Sequence, residues 1–207
     1  MRIRFRGILQ AGVLLSALTF SAGAYARFYI GGGGGQATFQ NTERVQQACT
    51  TVGATCSVDD NDTGYKLFAG YRLGQYLSFE GGYVDLGKAK ATATVPVTAT
   101  ASLSGSGVFV ALLPQIPLGP SGAIFGRIGL AAVDAKLSAA SGGTSLSDSS
   151  GAASIVFGGG AEFRLTNNVS IRGEWERYAF DETLNLAGVK INAPDIDLLS
   201  ASLVFSF

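Results

Sequence analysis

Seven charged residues stand alone in runs that are otherwise small or apolar: Lys66, Arg72, Glu80, Arg127, Glu162, Arg172 and Glu174. Charges so placed either do chemistry or pair with one another. Glu174 and Glu176 are carboxylates of the kind used in acid–base catalysis, but they share one strand face and read as lumen or rim residues. A Ser–His or Asp–His arrangement is impossible, because the chain has no histidine, and the nucleophiles of lipases and proteases depend on such a base. The glycine run Gly31–Gly35 lacks the Lys-Ser/Thr and the helix of a phosphate loop; it fits a strand that needs small residues against neighbouring aromatics. Asp59, Asp60 and Asp62 lack the loop spacing and terminal Glu of a calcium hand, so they read as solvated loop charge. The expectation is no enzyme, no cofactor and no metal.

The ends of the chain say where it goes. Arg2, Arg4 and Arg6 form a basic n-region, Ile8 to Phe20 is mostly apolar, and Ala24-Tyr25-Ala26 is an Ala-x-Ala cleavage site. The apolar core is shorter than the roughly 20 residues of a spanning helix. Residues 1–26 therefore read as a signal peptide cleaved after Ala26, and residues 27–207 as one mature domain. Removing the three leader arginines leaves 12 basic against 15 acidic residues. That mild acidity, with no basic block, argues against nucleic acid as a partner. Export also bears on Cys49 and Cys56, which are close in sequence and predict a local disulfide in an oxidising compartment.

After Ala26 no apolar run approaches 18 residues, yet mean hydropathy is positive at +0.29. A membrane β-barrel gives this combination, since only half of its strand residues face lipid. The pattern of the chain agrees. Tyr65, Leu67, Ala69, Tyr71 and Leu73 alternate with Lys66, Phe68, Gly70 and Arg72, and Leu77, Phe79, Gly81 and Tyr83 alternate with Ser78, Glu80, Gly82 and Val84. The final run sets Leu199, Ala201, Leu203, Phe205 and Phe207 against Ser200, Ser202, Val204 and Ser206. Predicted strands are Phe28–Gln40, Gly64–Gly74, Tyr76–Leu86, Ser102–Ile116, Ala123–Leu137, Ala152–Leu165, Val169–Phe180 and Pro194–Phe207. The parity of Ser102–Ile116 stays open, because both faces are apolar near Val108–Leu113. Eight strands of roughly 10 residues, three tight turns and four loops predict an all-β, eight-stranded antiparallel transmembrane β-barrel. The loops are Asn41–Thr63, Gly87–Thr100, Ser138–Gly151 and Asp181–Ala193, although the Ala- and Thr-rich Gly87–Thr100 equally suits an extension of the third and fourth strands beyond the membrane. A soluble up-and-down barrel shares the period of two but would put its apolar residues inside.

The segments GYKLFAGYRLGQYLSFEGGYVDLGK (Gly64–Lys88), GRIGLAAVDAKL (Gly126–Leu137) and VFGGGAEFRLTNNVSIRGEWERY (Val156–Tyr178), with the aromatic C-terminus, carry a Gly-aromatic rhythm interrupted by single charges. In these the sequence resembles the transmembrane domain of the outer membrane protein A family. The resemblance implies an outer-membrane location with lipid as its surroundings, short periplasmic turns, and a C-terminal signal at Leu203, Phe205 and Phe207 read by the barrel-assembly machinery. Some members carry a peptidoglycan-binding domain after the barrel; residues 27–207 are expected to form the barrel alone, so cell-wall tethering is not among the functions that the resemblance implies here.

Parity puts Glu80, Glu162, Arg172 and Glu174 in the lumen, joined by Arg127, Lys66 and Arg72. The first four match charged lumen positions of the family, where the resemblance implies a salt-bridged plug. The family's additional lysine on the fourth strand is missing from Ser102–Ile116. Two readings follow. In one, charged pairs fill a narrow barrel whose role is structural or lies in surface interaction, with a host or surface ligand held by the loops. In the other, the charges line a small passive channel for ions or solutes. An interior only wide enough for side chains favours the first.

Overall fold

The computed structural model describes residues 28–40, 55–94, 98–141, 144–180, 183–186, 189–192 and 194–207. The leader and Cys49 lie outside these residues, and the side chain of Cys56 is not described, so the predicted disulfide lies outside them too. The strands are β1 (Phe28–Phe39), β2 (Thr55–Asp59), β3 (Asn61–Arg72), β4 (Leu77–Thr94), β5 (Thr98–Leu118), β6 (Gly122–Ser141), β7 (Thr144–Arg164), β8 (Val169–Phe180), β9 (Thr183–Leu186), β10 (Val189–Asn192) and β11 (Ile196–Ser206). No helix among the described residues is long and apolar enough to cross a membrane.

Eight of these strands close a circle in the order β1-β3-β4-β5-β6-β7-β8-β11, each antiparallel to its neighbours. Closure falls between the first strand and the last: Gly33 lies opposite Ser202 and Tyr29 opposite Ser206. The Phe207 amide donates to the Phe28 carbonyl at 2.9 Å, and the two rings lie 6.1 Å apart. With no free edge, every strand can hydrogen-bond on both sides in hydrocarbon. Three tight turns, around Gly74, Gly119 and Asn168, mark one end of the barrel. Gly74 (φ +121°) and Gly119 (φ +73°) hold left-handed conformations there that L side chains adopt only with strain.

The alternation read from the sequence is borne out. Tyr65, Leu67, Tyr83, Val110, Ile128, Phe157, Ile171, Leu203 and Phe205 are exposed, while the residues between them turn inward. The open parity of the fourth barrel strand resolves: Val108, Val110 and Leu112 face outward, and Phe109, Ala111 and Leu113 inward. The outward apolar band covers roughly 10 residues per strand. At ~3.3 Å per residue and a tilt near 40°, that is about 25 Å, the height of a barrel's lipid-facing band.

The strands do not stop where the band stops, which decides Gly87–Thr100 in favour of strand extension and corrects the other predicted loops. Gly87–Thr100 and Ser138–Gly151 are largely strand: β4 pairs with β5 from Lys88/Ser104 to Thr94/Thr98, and β6 with β7 as far as Ser141/Thr144. Within Asn41–Thr63, β2 pairs with the top of β4 and β3 begins at Asn61. Within Asp181–Ala193, β9 and β10 pair as a separate two-stranded sheet. The Ala/Ser/Thr composition that suggested loops also suits strands whose neighbours approach closely, as the continuous ladder of β5, β6 and β7 shows.

Above the band the polarity of the wall reverses. On β6 the outward series Ile124, Ile128, Leu130 gives way to Asp134 and Lys136, while the inward series runs from Arg127 to Ala131 and Val133. On β8 the inward series runs Arg172, Glu174, Glu176, then Tyr178 and Phe180; on β11 it runs Ser202, Ser200, then Leu198 and Ile196. The expectation of a polar lumen thus holds for the lower half only. The upper half is packed like a soluble barrel, its apolar residues inside and its charges outside.

One residue makes this possible on β4. Glu80, Gly82, Val84 and Leu86 face inward, so an unbroken strand would turn Lys88 and Lys90 inward as well. A β-bulge between Asp85 and Lys88 shifts the register by one. Gly87 sits in it at φ +72°, its amide donating to Asp85 Oδ1 at 2.9 Å. A one-residue insertion exchanges the two faces of everything beyond it. Lys88 and Lys90 are accordingly exposed and Ala89 packs against the core. Gly87→Val should weaken or abolish the heat-modifiable folded band on cold electrophoresis. A β-branched residue disfavours φ +72°, and its Cβ would come within 2.9 Å of Asp62. Straightening the strand to relieve this would turn Lys88 and Lys90 into an apolar interior; deleting Gly87 along with the bulge leaves both lysines outside. Gly173→Ala, on the lipid face with nothing within 4 Å of an added Cβ, should leave that band unchanged.

Candidate functional site

The barrel interior brings together every lumen charge predicted from parity. Five strands supply them: Lys66 and Arg72 from β3, Glu80 from β4, Arg127 from β6, Glu162 from β7, and Arg172 and Glu174 from β8. Glu176, one inward position further along β8, completes the set. Four cations face four anions.

The contacts form one continuous chain across the lumen. Near the tight-turn end, Arg72 Nη2 donates to Glu162 Oε1 at 2.9 Å and its Nη1 donates to Ser206 Oγ at 2.9 Å, tying β3 to β7 and to the closing strand β11. Glu162 Oε2 also accepts from Arg172 Nη2 at 2.8 Å, and Arg172 Nη1 donates to Glu80 Oε1. Glu80 is shared: Tyr29 Oη donates to Oε1 at 2.9 Å, and Arg127 Nη2 donates to Oε2 at 2.5 Å. Arg127 reaches on to Glu174 Oε2 at 2.9 Å and lies opposite Glu176 Oε1, with Nε at 2.9 Å. Lys66 closes the chain by pairing with Glu174 and donating to Glu176 Oε2 at 2.8 Å. The side chains of Lys66, Glu80, Arg127, Glu174 and Glu176 are wholly buried, whereas Arg72 and Glu162 keep 19% and 15% exposure. The network is therefore dry in its middle and wetted at one end.

Desolvation explains both the pairing and the balance. An isolated buried charge costs several kcal/mol even after relaxation, and only partners with good geometry offset it. Aromatic rings cover the guanidinium faces that carboxylates leave bare. Arg172 Cζ lies 5.0 Å from the centroids of Phe68 and Phe125, Arg72 lies 4.8 Å from Tyr29, and Arg127 lies 5.4 Å from Phe109. The fourth barrel strand contributes no cation to the network; its Phe109 packs on Arg127 instead. The glycines serve the same crowding. A Cβ at Gly31 would come within 2.4 Å of the Phe68 ring, and one at Gly70 within 2.3 Å of the Tyr29 ring.

Above the network, Val84, Val156, Tyr178 and Leu198 fill the lumen with no exposure at all. The lumen serines, Ser154, Ser200 and Ser202 among them, face no histidine that could activate them, since the chain has none, and among the described residues no group of His, Cys, Asp or Glu is arranged to hold a metal ion. Leu203, Phe205 and Phe207 face outward on the closing strand.

Sequence reasoning did not bring Tyr29 or the covering phenylalanines into the site. Tyr29 was legible in principle, since Phe28 and Ile30 on either side are outward residues, but the glycines that follow carry no parity signal. Glu176 could be read only as lumen or rim.

A closed eight-stranded sheet, apolar outside and charge-paired inside, defines a small outer-membrane β-barrel. The chain belongs to the OmpA-like transmembrane domain family, whose profile matches residues 24–207. Among solved structures it is similar to Ail, the attachment invasion locus protein of Yersinia pestis, at 16% identity and a TM-score of 0.56, with 89% of this chain and 100% of that one covered. It is also similar to Neisserial surface protein A, at 14% identity and a TM-score of 0.50, covering 87% and 97%. At such identities the likeness is one of fold. No curated protein sequence matches the chain significantly.

Within the network Arg127 serves three carboxylates and Arg72 serves one that Arg172 also holds. Arg127→Met should destabilise the barrel by about 3–5 kcal/mol, read as a lower urea midpoint in micelles. Arg72→Met, at the wetted end, should cost about 1 kcal/mol or less. Equal losses would mean that the network is not one buried unit.

Proposed function

We propose that this protein is an integral outer-membrane barrel with a structural or surface-interaction role, its lumen serving as a plug. The observation that carries the reading is the stacking of two different seals. A balanced ion network crosses the lower half of the lumen, and an apolar layer with no exposed surface fills the half above it. Ion-path behaviour would require opening both, and one is stabilised by charge pairing while the other is stabilised by excluding water. The partner surface on this reading is the part beyond the membrane: the polar outer wall of β4 to β7, the segment 41–54 and the β9–β10 hairpin. Strands running eight or so residues past the band lift that wall roughly 20 Å above the hydrocarbon.

Refolded protein in planar bilayers should give background conductance, and Glu80→Ala should not open it, because the apolar layer stays in place. Stepwise currents from the unaltered protein would replace this reading with that of a passive channel. The surface role is checked separately by adherence of expressing cells to an epithelial monolayer. A variant lacking residues 44–53, which spares β2, should adhere at least several-fold less at equal surface level; unchanged adherence would remove that segment as the contact.

A further inference from the structure

Above the membrane the sheet continues in the order β2-β4-β5-β6-β7, and its two edges end differently. Where β3 stops pairing with β4, at Tyr65/Asp85, the edge of β4 is taken up by β2, which pairs from Asp59/Lys90 to Thr55/Thr94. On the other side β8 pairs with β7 no further than Phe180/Ser154, while β7 runs on from Ala153 to Thr144 beside β6. Among the described residues no second strand pairs with that stretch, and β9 and β10 pair only with each other. Successive residues of a strand turn their N–H and C=O groups to opposite sides. The Arg164 amide donates to Ser121 on the β6 side and the Leu165 amide to Val169 on the β8 side, and the β6–β7 register is unbroken from Gly122/Phe163 to Ser141/Thr144. Even-numbered residues of β7 therefore bond to β6. Odd-numbered ones, the exposed Ser147 and Gly151 among them, aim their backbone groups at the side that β8 has left.

From these features we propose that the upper edge of β7, Thr144–Ala153, takes up an extended segment of a second polypeptide as an added strand. A line of alternating donors and acceptors, repeating about every 7 Å, is complementary to another extended backbone; a lipid tail or a sugar offers no matching series. The sheet already accepts such a strand at its opposite edge, where β2 is seated on β4. The β7 edge also lacks the devices that keep natural edges from pairing. Its sequence, TSLSDSSGAA, has no lysine, arginine or proline, and its ladder has no bulge. With Asp148 as the one charged residue of the stretch, a neutral or basic segment suits it better than an acidic one. The inference rests on the surface-interaction reading and narrows it: the contact is the rim of a sheet, separate from the segment 41–54.

The test follows amide hydrogen exchange in the full barrel in lipid nanodiscs, with a short lysine-flanked peptide of alternating threonine and valine as the probe. Without peptide, Ser147 and Gly151 should exchange at least several-fold faster than Ser150 and Ala152, whose amides bond to β6. The peptide should slow Ser147 and Gly151 at least several-fold and saturably. A control peptide with two adjacent central prolines, equal in charge, should not. Ser147→Pro or Ser145→Pro removes an edge donor without costing a bond to β6, so the heat-modifiable folded band should persist while uptake at the edge is lost. Ser147 and Gly151 as protected as Ser150 before peptide is added would overturn the proposal, since another part of the chain would then cover the edge. So would exchange that the peptide leaves unaltered, equal slowing by the proline control, or undiminished uptake in whichever proline variant folds. Adherence that depends on residues 44–53, together with an edge that takes up no peptide, would keep the surface role and discard the edge.

Discussion

Hydrocarbon offers a peptide group no hydrogen-bond partner, and this one fact organises the molecule. A sheet crossing the membrane must close on itself, so the register between β1 and β11 is as much a requirement as any packing contact. Closing with eight strands fixes a narrow interior, and a narrow interior fixes what can occupy it. Large side chains on one strand demand glycine on the next, as Phe68 demands Gly31 and Tyr29 demands Gly70. Charges admitted to that space must arrive in balance, and the four cations and four carboxylates do.

The two halves of the lumen solve different problems. In the lower half the surrounding lipid requires an apolar exterior, which leaves polar residues for the inside. Above the membrane the exterior meets water and the constraint inverts. The strands carry both solutions end to end, so a single closed sheet is a membrane barrel below and resembles a water-soluble barrel above. The upper layer has the ordinary burial drive of a soluble core behind it, whereas the lower has only pairing and packing. The barrel is therefore anchored by conventional hydrophobic packing at the end remote from the tight turns.

Much of this was legible in the sequence because a period of two survives any error in strand ends. The inward placement of Lys66, Arg72, Glu80, Arg127, Glu162, Arg172 and Glu174 rested on parity alone, and parity is local. What was not legible depends on register between strands. The Ala/Thr-rich Gly87–Thr100 reads equally as loop or strand extension, and the Ser/Gly-rich Ser138–Gly151 as a loop, until β4 with β5, and β6 with β7, are seen to extend one another. Val133 is apolar on a face expected to be polar, and only its height above the network says why, while Phe109 owes its inward place to the Arg127 guanidinium that it covers. Tyr29 is identified as a hydrogen-bond donor by Glu80, fifty-one residues away in sequence.

The bulge at Gly87 has a bearing on how such a chain can change. The strands above the membrane have an inside and an outside, so their length is quantised. Adding two residues to one arm of a hairpin preserves which side chains meet water. Adding one exchanges them all, unless a second irregularity restores the count. Variation in the extracellular reach of this barrel should therefore proceed in even steps, or in odd steps that carry a glycine-bearing kink of their own. In that sense Gly87 is the trace of an odd step already taken, with Lys88 and Lys90 as the residues that had to be kept outside.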